Sequence, residues 1–241
     1  MDIYATPTIT ERITGNPYVG RGIILGMSRD GQRAVAAYFI MGRSANSRNR
    51  VFALEDDVLY TRPFDESLVE DPSLIIYAAV RKLDNRLIVT NGDQTDTVFQ
   101  GLKEGRGFAE SLRSREFEPD APNFTPRISG LMTFGDRLNY EMSILKSADN
   151  AGSACNRFTY SYAALPGLGH FIHTYVTDGD PLPTFQGEPE RVCIPDDIDG
   201  FADEIWTALD DDNKISLYVR SVDLHTGEVR EKIFNKNSAE S

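Results

Sequence analysis

Apolar positions in this chain fall mostly in short runs of strand length, bounded by Gly, Pro, Asn and Asp. Gly22 to Met27 and Arg33 to Met41 are two such runs, and the Asp-Gly pair within Ser28-Arg29-Asp30-Gly31-Gln32 predicts a hairpin between them. The second run is apolar on both faces after Arg33, so its sheet is expected to be covered on both sides. Leu74 to Leu83 and Arg86 to Thr90 predict another pair around Asp84-Asn85. Further strands are expected at Ile128 to Phe134, Leu138 to Leu145, Phe158 to Ala164 and His170 to Val176. Lys214 to Val222 and Glu228 to Phe234 then close a hairpin around His225-Thr226-Gly227.

Helical patterning is confined to three places. Thr95 or Asp96 can cap a helix to Lys103, a second runs from Gly107 to Arg115, and a third from Ile198 to Leu209 follows Asp196-Asp197. Residues 1–17 show no period and are read as an N-terminal leader on the surface, with a single catalytic domain over 18–241. Many strands that look covered on both faces, with few helices, imply an α+β fold of two stacked sheets between helices.

Composition narrows the class. Of 241 residues, 40% are hydrophobic and 26% charged, which suits a globular core and excludes disorder, collagen and coiled coil. The longest apolar runs, such as Leu74 to Val80, are too short to span a bilayer, and the N-terminus lacks the pattern of a secretory signal, so a soluble, cytoplasmic protein is expected. Cys155 and Cys193 have no zinc or disulfide spacing and are expected as buried free thiols. His170 and His173, three apart on a strand, face opposite sides, so a shared metal is not expected.

A net charge of −12 argues against nucleic acid or anionic membrane as partners. The first 50 residues nevertheless carry seven arginines against three acids. Three of those arginines lie in Gly42-Arg43-Ser44-Ala45-Asn46-Ser47-Arg48-Asn49-Arg50, a loop directly after a buried strand that holds no acid. Arginine forks with amide and hydroxyl donors suit a phosphate; the competing reading is a solvated turn paired with carboxylates elsewhere. Val89 to Asp96 is a strand feeding a polar turn at a helix start, another anion-holding arrangement or else a simple cap. Glu116 to Ile128 holds three prolines that stiffen a loop bearing Glu118 and Asp120.

Taken in order, Tyr18, Gly20 and Arg21, then AAYFIMGRSANSRNR, IIYAAVR, VTNGDQTD and NFTPRI, resemble the inosine monophosphate cyclohydrolase family first known from archaea. GHFIHTY and DGDPLPTFQGEP resemble its longer bacterial branch. The resemblance implies a four-layer αββα sandwich like that of the N-terminal nucleophile hydrolases, without the terminal nucleophile. It also implies closure of 5-formamidoimidazole-4-carboxamide ribonucleotide to inosine monophosphate, a nucleotide substrate with no cofactor and no metal, and a homo-oligomer. By family position Glu118 transfers protons, Tyr77 donates or orients, and Arg43 with Asn91 stabilises oxygen, with Arg43 placed toward the reacting end. Arg21, Asn46, Arg48, Asn49, Asp93, Thr95 and Arg127 fall at substrate-contacting positions, Arg48 and its asparagine neighbours on phosphate or ribose. This chain has Phe117 before Glu118 where the family usually has Tyr, and Phe124 is an extra residue between Asn123 and Thr125. An amidase of the same fold and a non-catalytic nucleotide-binding protein are the alternatives.

Overall fold

The runs on either side of Asp30-Gly31 do pair. In the computed structural model, which describes residues 2–69 and 76–237, β1 (Arg21–Met27) and β2 (Arg33–Met41) form an antiparallel hairpin with Gly22 opposite Phe39 and Gly26 opposite Val35. Four more strands extend it: β10 (Leu168–His173), β11 (Glu190–Cys193), β12 (Lys214–Asp223) and β13 (Val229–Asn235). They give a six-stranded sheet in the order β11-β10-β1-β2-β12-β13. A second sheet takes its seven strands in chain order: β3 (Val51–Glu55), β4 (Val58–Arg62), β5 (Tyr77–Leu83), β6 (Arg86–Thr90), β7 (Arg127–Thr133), β8 (Asn139–Ser147) and β9 (Cys155–Ala163). Every pairing is antiparallel.

The apolar positions sort into three layers of core. Between the sheets lie Ile23, Leu25, Tyr38 and Ile40 from the six-stranded sheet, against Ala79, Val89, Ile128 and Met142 from the seven-stranded one. Contact there is close: a Cβ on Gly130 would come within 2.7 Å of the Leu25 side chain. Outside the first sheet, Ile24, Phe39 and Leu217 meet α1 (Ile9–Ile13) and α5 (Ile198–Ala208). Outside the second, Ile88, Leu131 and Leu145 meet α3 (Gln94–Lys103) and α4 (Phe108–Ser111). The layers are therefore helix, sheet, sheet, helix, in line with the predicted α+β sandwich. No helix among the described residues is long and apolar enough to cross a membrane.

Several expectations need correction. Residues 1–17 do not simply lie on the surface: Thr8 caps α1 through a reciprocal pair, Glu11 N to Thr8 Oγ1 at 3.2 Å and Thr8 N to Glu11 Oε2 at 2.7 Å. Ile9 and Ile13 are buried in the outer core, and five residues are too few to show a period. Strands β3, β4 and β11 were not foreseen. The β3–β4 turn uses Asp56 and Asp57, both at positive φ (49° and 63°), where a hairpin signal normally carries Asn-Gly or Asp-Gly. Leu74 and Ile75 of the expected strand lie outside the described residues, and β5 starts at Tyr77. The expected strand to Val176 ends at His173, while β9 starts earlier, at Cys155. The helix expected from Gly107 to Arg115 is α4 followed by a 3-10 turn. Cys155 and Cys193 are free but half-exposed, because each sits on an edge strand.

Ile13→Ala is expected to lower the unfolding free energy by about 2–5 kcal/mol, as for other buried large-to-small changes, read from denaturant midpoints. An unchanged midpoint would mean that α1 is not part of the folded core.

Candidate active site

Antiparallel order brings the start of β1 beside the end of β2, and the start of β5 beside the end of β6 and the start of β7. These ends meet at one mouth of the sandwich. A hydrogen bond between Tyr38 Oη of β2 and Tyr77 Oη of β5, 2.9 Å and buried, joins the sheets there. Above it opens a cleft of about 360 Å3, lined by Tyr18, Arg21, Arg43, Arg50, Glu118 and Tyr175 among others. Its size suits a nucleotide-sized ligand. Gly20 shapes the entrance: it has φ 76°, and a Cβ there would fall 2.1 Å from Thr174 Oγ1.

The arginine-rich loop folds into one helical turn, α2 (Ala45–Arg48), and that turn separates its arginines. Ser44 and Ser47 cap it reciprocally at 3.0 and 3.1 Å. Arg43 stays at the rim, 5.2 Å over the Tyr18 ring, paired with Asp178 and donating to Gly179 O at 3.0 Å. Arg48 points away from the cleft, donating to Gly42 O at 3.1 Å and Asn213 Oδ1 at 3.0 Å. Asn49 is held by the Asp65 backbone at both ends of its amide, each at 2.7 Å. Asn46 does line the cleft, and its Oδ1 is buried with no partner among the described residues.

The deep wall is built by Arg21, Arg50 and Glu118, with Tyr77 behind it, near enough to act on both guanidiniums. Arg50 is 6% exposed, and the Nε atoms of Arg21 and Arg50 are both buried without a partner. The carboxylates that bind arginine in this region go elsewhere: Asp178 to Arg43, and Asp93 to Arg115 and Arg127. Neither Arg21 nor Arg50 has a carboxylate within ion-pair distance among the described residues. Burial and the neighbouring Arg21 both weaken the hold of Arg50 on its proton. Burial acts against Arg21 as well, but Glu118 and three tyrosines outweigh it. Glu118 feels burial most, which raises its carboxyl above the usual range, and Arg21, Arg127 and Arg50 offset this only in part. Two guanidiniums, a phenol and a carboxyl that resists ionisation thus share one small volume.

The remaining expected residues form the frame of that volume. Asn91 is buried with its amide spent on backbone: Oδ1 accepts from Ile128 N at 2.9 Å, and Nδ2 donates to Pro126 O at 2.9 Å. Thr95 Oγ1 lies 2.6 Å from Thr90 Oγ1, also buried. Arg127 donates to Asp93 Oδ1 and Gln94 Oε1, both at 2.8 Å; burial opposes the Asp93 charge, but Arg115 and Arg127 lower its carboxyl. The Pro-rich loop closes on itself through Glu118 N to Thr125 O at 2.9 Å and Thr125 N to Asp120 Oδ1 at 2.6 Å. The extra residue, Phe124, takes φ 44° and packs its ring edge on Phe117 at 5.4 Å, which leaves Glu118 in the cleft. His170 and His173 do face opposite ways: one bonds Tyr140 Oη and stacks on Tyr162, the other bonds Tyr175 O. Burial pushes both down to about 4. Arg50, Asp120, Thr125 and Tyr175 also line the cleft and were not among the expected contacts. Arg50 could have been found as the last cation before β3; Tyr175 carries no spacing signal.

Comparison with known proteins points to one family. The model of one family, described as IMP cyclohydrolase-like protein, matches residues 18–227. The chain is 28% identical to the IMP cyclohydrolase of Methanopyrus kandleri over 183 residues, covering 70% of this chain and 89% of that protein. It is 31% identical to the IMP cyclohydrolase of Methanosphaera stadtmanae over 118 residues, and 32% to that of Methanocella arvoryzae over 120. Those two alignments cover about half of this chain (47% and 48%) and little more than half of the relatives (56% and 58%).

The Glu118 environment sets a sign for stability. Its folded pKa is raised, so the penalty for its charge is absent at low pH and grows as pH rises from the ordinary carboxylate range through the raised value. Glu118→Gln is therefore expected to leave the melting temperature nearly unchanged at pH 4 and to stabilise at pH 8 by about 0.5–2 kcal/mol, the usual gain from relieving a functional strain. A variant less stable than wild type at pH 8 would contradict the assignment.

Proposed function

The chain belongs to the IMP cyclohydrolase-like family, and we infer from that membership and from its cleft that it is an IMP cyclohydrolase of purine biosynthesis. It closes 5-formamidoimidazole-4-carboxamide ribonucleotide to inosine monophosphate with loss of water. The observation that carries this reading is the pair Arg21 and Arg50 beside Glu118 and Tyr77, with both Nε atoms buried and without a partner among the described residues.

Ring closure needs the carboxamide nitrogen held against the formyl carbon, donors on the formyl oxygen as it gains charge, and an acid to expel water from the carbinolamine. The deep wall supplies these. Arg21, Arg50 and Tyr77 face the developing oxygen charge, and Glu118, whose carboxyl burial raises above the usual range, delivers the proton. At the rim Arg43, Asn46 and the serines of α2 receive the phosphate, whose charge is about −1.5 to −2 at neutral pH. The position of Arg43 over Tyr18 supports this role at the phosphate rather than at the reacting end. Arg48, Asn49, Asn91, Asp93, Thr95 and Arg127 act by holding the loops in place. A cytoplasmic location and a symmetric homo-oligomer belong to the same reading, the latter checked by light scattering.

Purified protein given the formylated ribonucleotide should form inosine monophosphate, followed by ultraviolet absorbance; absence of turnover would overturn the reading. Arg50→Lys should lower kcat by about 10²–10³-fold, the cost of losing one oxyanion donor, while Arg43→Lys should mainly raise KM. A fall in kcat at constant KM for Arg43→Lys would return that residue to the reacting end.

A further inference from the structure

Attack by the carboxamide nitrogen leaves it with one proton too many, and the reading above assigns Glu118 to the oxygen. A second hydrogen-bonded chain borders the cleft. Asp120 accepts from Thr125 N at 2.6 Å through Oδ1 and from the Thr125 hydroxyl through Oδ2. Thr125 Oγ1 lies 2.5 Å from Tyr175 Oη. The directions are forced: an ionised carboxylate only accepts, so Thr125 gives its single hydroxyl proton to Asp120, and Tyr175 must donate to Thr125. The Tyr175 oxygen is thereby left with its lone pairs free. Tyr175 and Thr125 both line the cleft, while Asp120 reaches its outer side and is exposed. Tyr175 is held from below by His173 Nδ1 on its backbone oxygen at 2.7 Å and by stacking on Tyr18 at 5.9 Å.

We propose that Tyr175, Thr125 and Asp120 form the proton exit for ring closure, with Tyr175 as a catalytic residue and Thr125 and Asp120 acting through it. The step balances as follows. The carboxamide nitrogen bonds to the formyl carbon, and the carbonyl pair moves to oxygen, which takes the proton of Glu118. The nitrogen passes its surplus proton to the Tyr175 oxygen, Tyr175 passes its own to Thr125, and Thr125 passes its own to the Asp120 carboxylate, which releases it to solvent. Glu118 takes a proton back from solvent, gives it to the carbinolamine hydroxyl as water leaves, and receives the proton that the former formamide nitrogen loses, so the site returns to its starting state. Burial keeps the Tyr175 phenol protonated at rest, as a relay of this kind needs.

The inference rests on the cyclohydrolase reading, and four variants separate the two. Tyr175→Phe keeps the stacked ring and removes only the oxygen; Thr125→Val keeps the shape and removes the hydroxyl; Thr125→Ser restores it; Asp120→Asn removes the terminal base. Tyr175→Phe and Thr125→Val are expected to lower kcat by about 10²-fold, at the low end for proton-transfer catalysis, with KM little changed. Thr125→Ser is expected to recover most of the activity, and Asp120→Asn to lower kcat as Tyr175→Phe does, with KM little changed. If wild type turns over and either Tyr175→Phe or Thr125→Val matches its kcat, or if Thr125→Ser is as poor as Thr125→Val, the chain only pins the loop and the proposal is overturned. If wild type itself does not turn over, the functional reading fails and the relay fails with it.

Discussion

Two arginine side chains crowd one end of the sandwich with no carboxylate bound to either among the described residues, and much of the surrounding structure follows from that. Like charges held close in a partly dry site destabilise the empty protein unless an anion joins them. The chain has acids to spare, 37 in all against 25 bases, yet Asp178 and Asp93 are committed to Arg43, Arg115 and Arg127. Of the two carboxylates that line the cleft, Asp120 is bonded to Thr125, and burial works against the charge of Glu118. The cleft is thus left with a deficit of negative charge that a substrate oxygen gaining charge would fill.

The rest of the molecule holds that arrangement rigid. Antiparallel pairing in both sheets brings five strand ends to one mouth, and the Tyr38–Tyr77 hydrogen bond locks the two sheets there. Asn91 fixes the end of β6 to the start of β7 through three bonds, two from its side chain and one from its backbone N–H. Arg48 and Asn49, whose types suggest ligand contacts, instead anchor the arginine loop to Asn213 and to Asp65. Polar residues that look alike in a motif therefore divide into those that face the cleft and those that keep its walls in place.

That division marks the limit of what the sequence makes legible. The apolar runs of β1 and β2, the Asp-Gly turn and the acidic start of α5 are local signals, and they read correctly because the physics behind them is local. Helix α1 escaped notice because its two buried isoleucines gain meaning only against α5. The β3–β4 hairpin escaped because its Asp56-Asp57 turn takes positive φ without glycine. At the site, the motifs identified Glu118 and Tyr77, whereas Arg50 was hidden among three arginines until α2 turned each a different way. Tyr175 was out of reach altogether: it lies 50 residues from Thr125 in the chain and meets it only across the fold.

The most direct test of this account is the melting temperature of Arg50→Met with and without inosine monophosphate. Removing one of two mutually repelling, unpaired charges should make the ligand-free variant more stable than wild type, and should abolish the further rise that the nucleotide gives the wild type. A variant that is less stable without ligand, and that inosine monophosphate still stabilises to the wild-type extent, would contradict it.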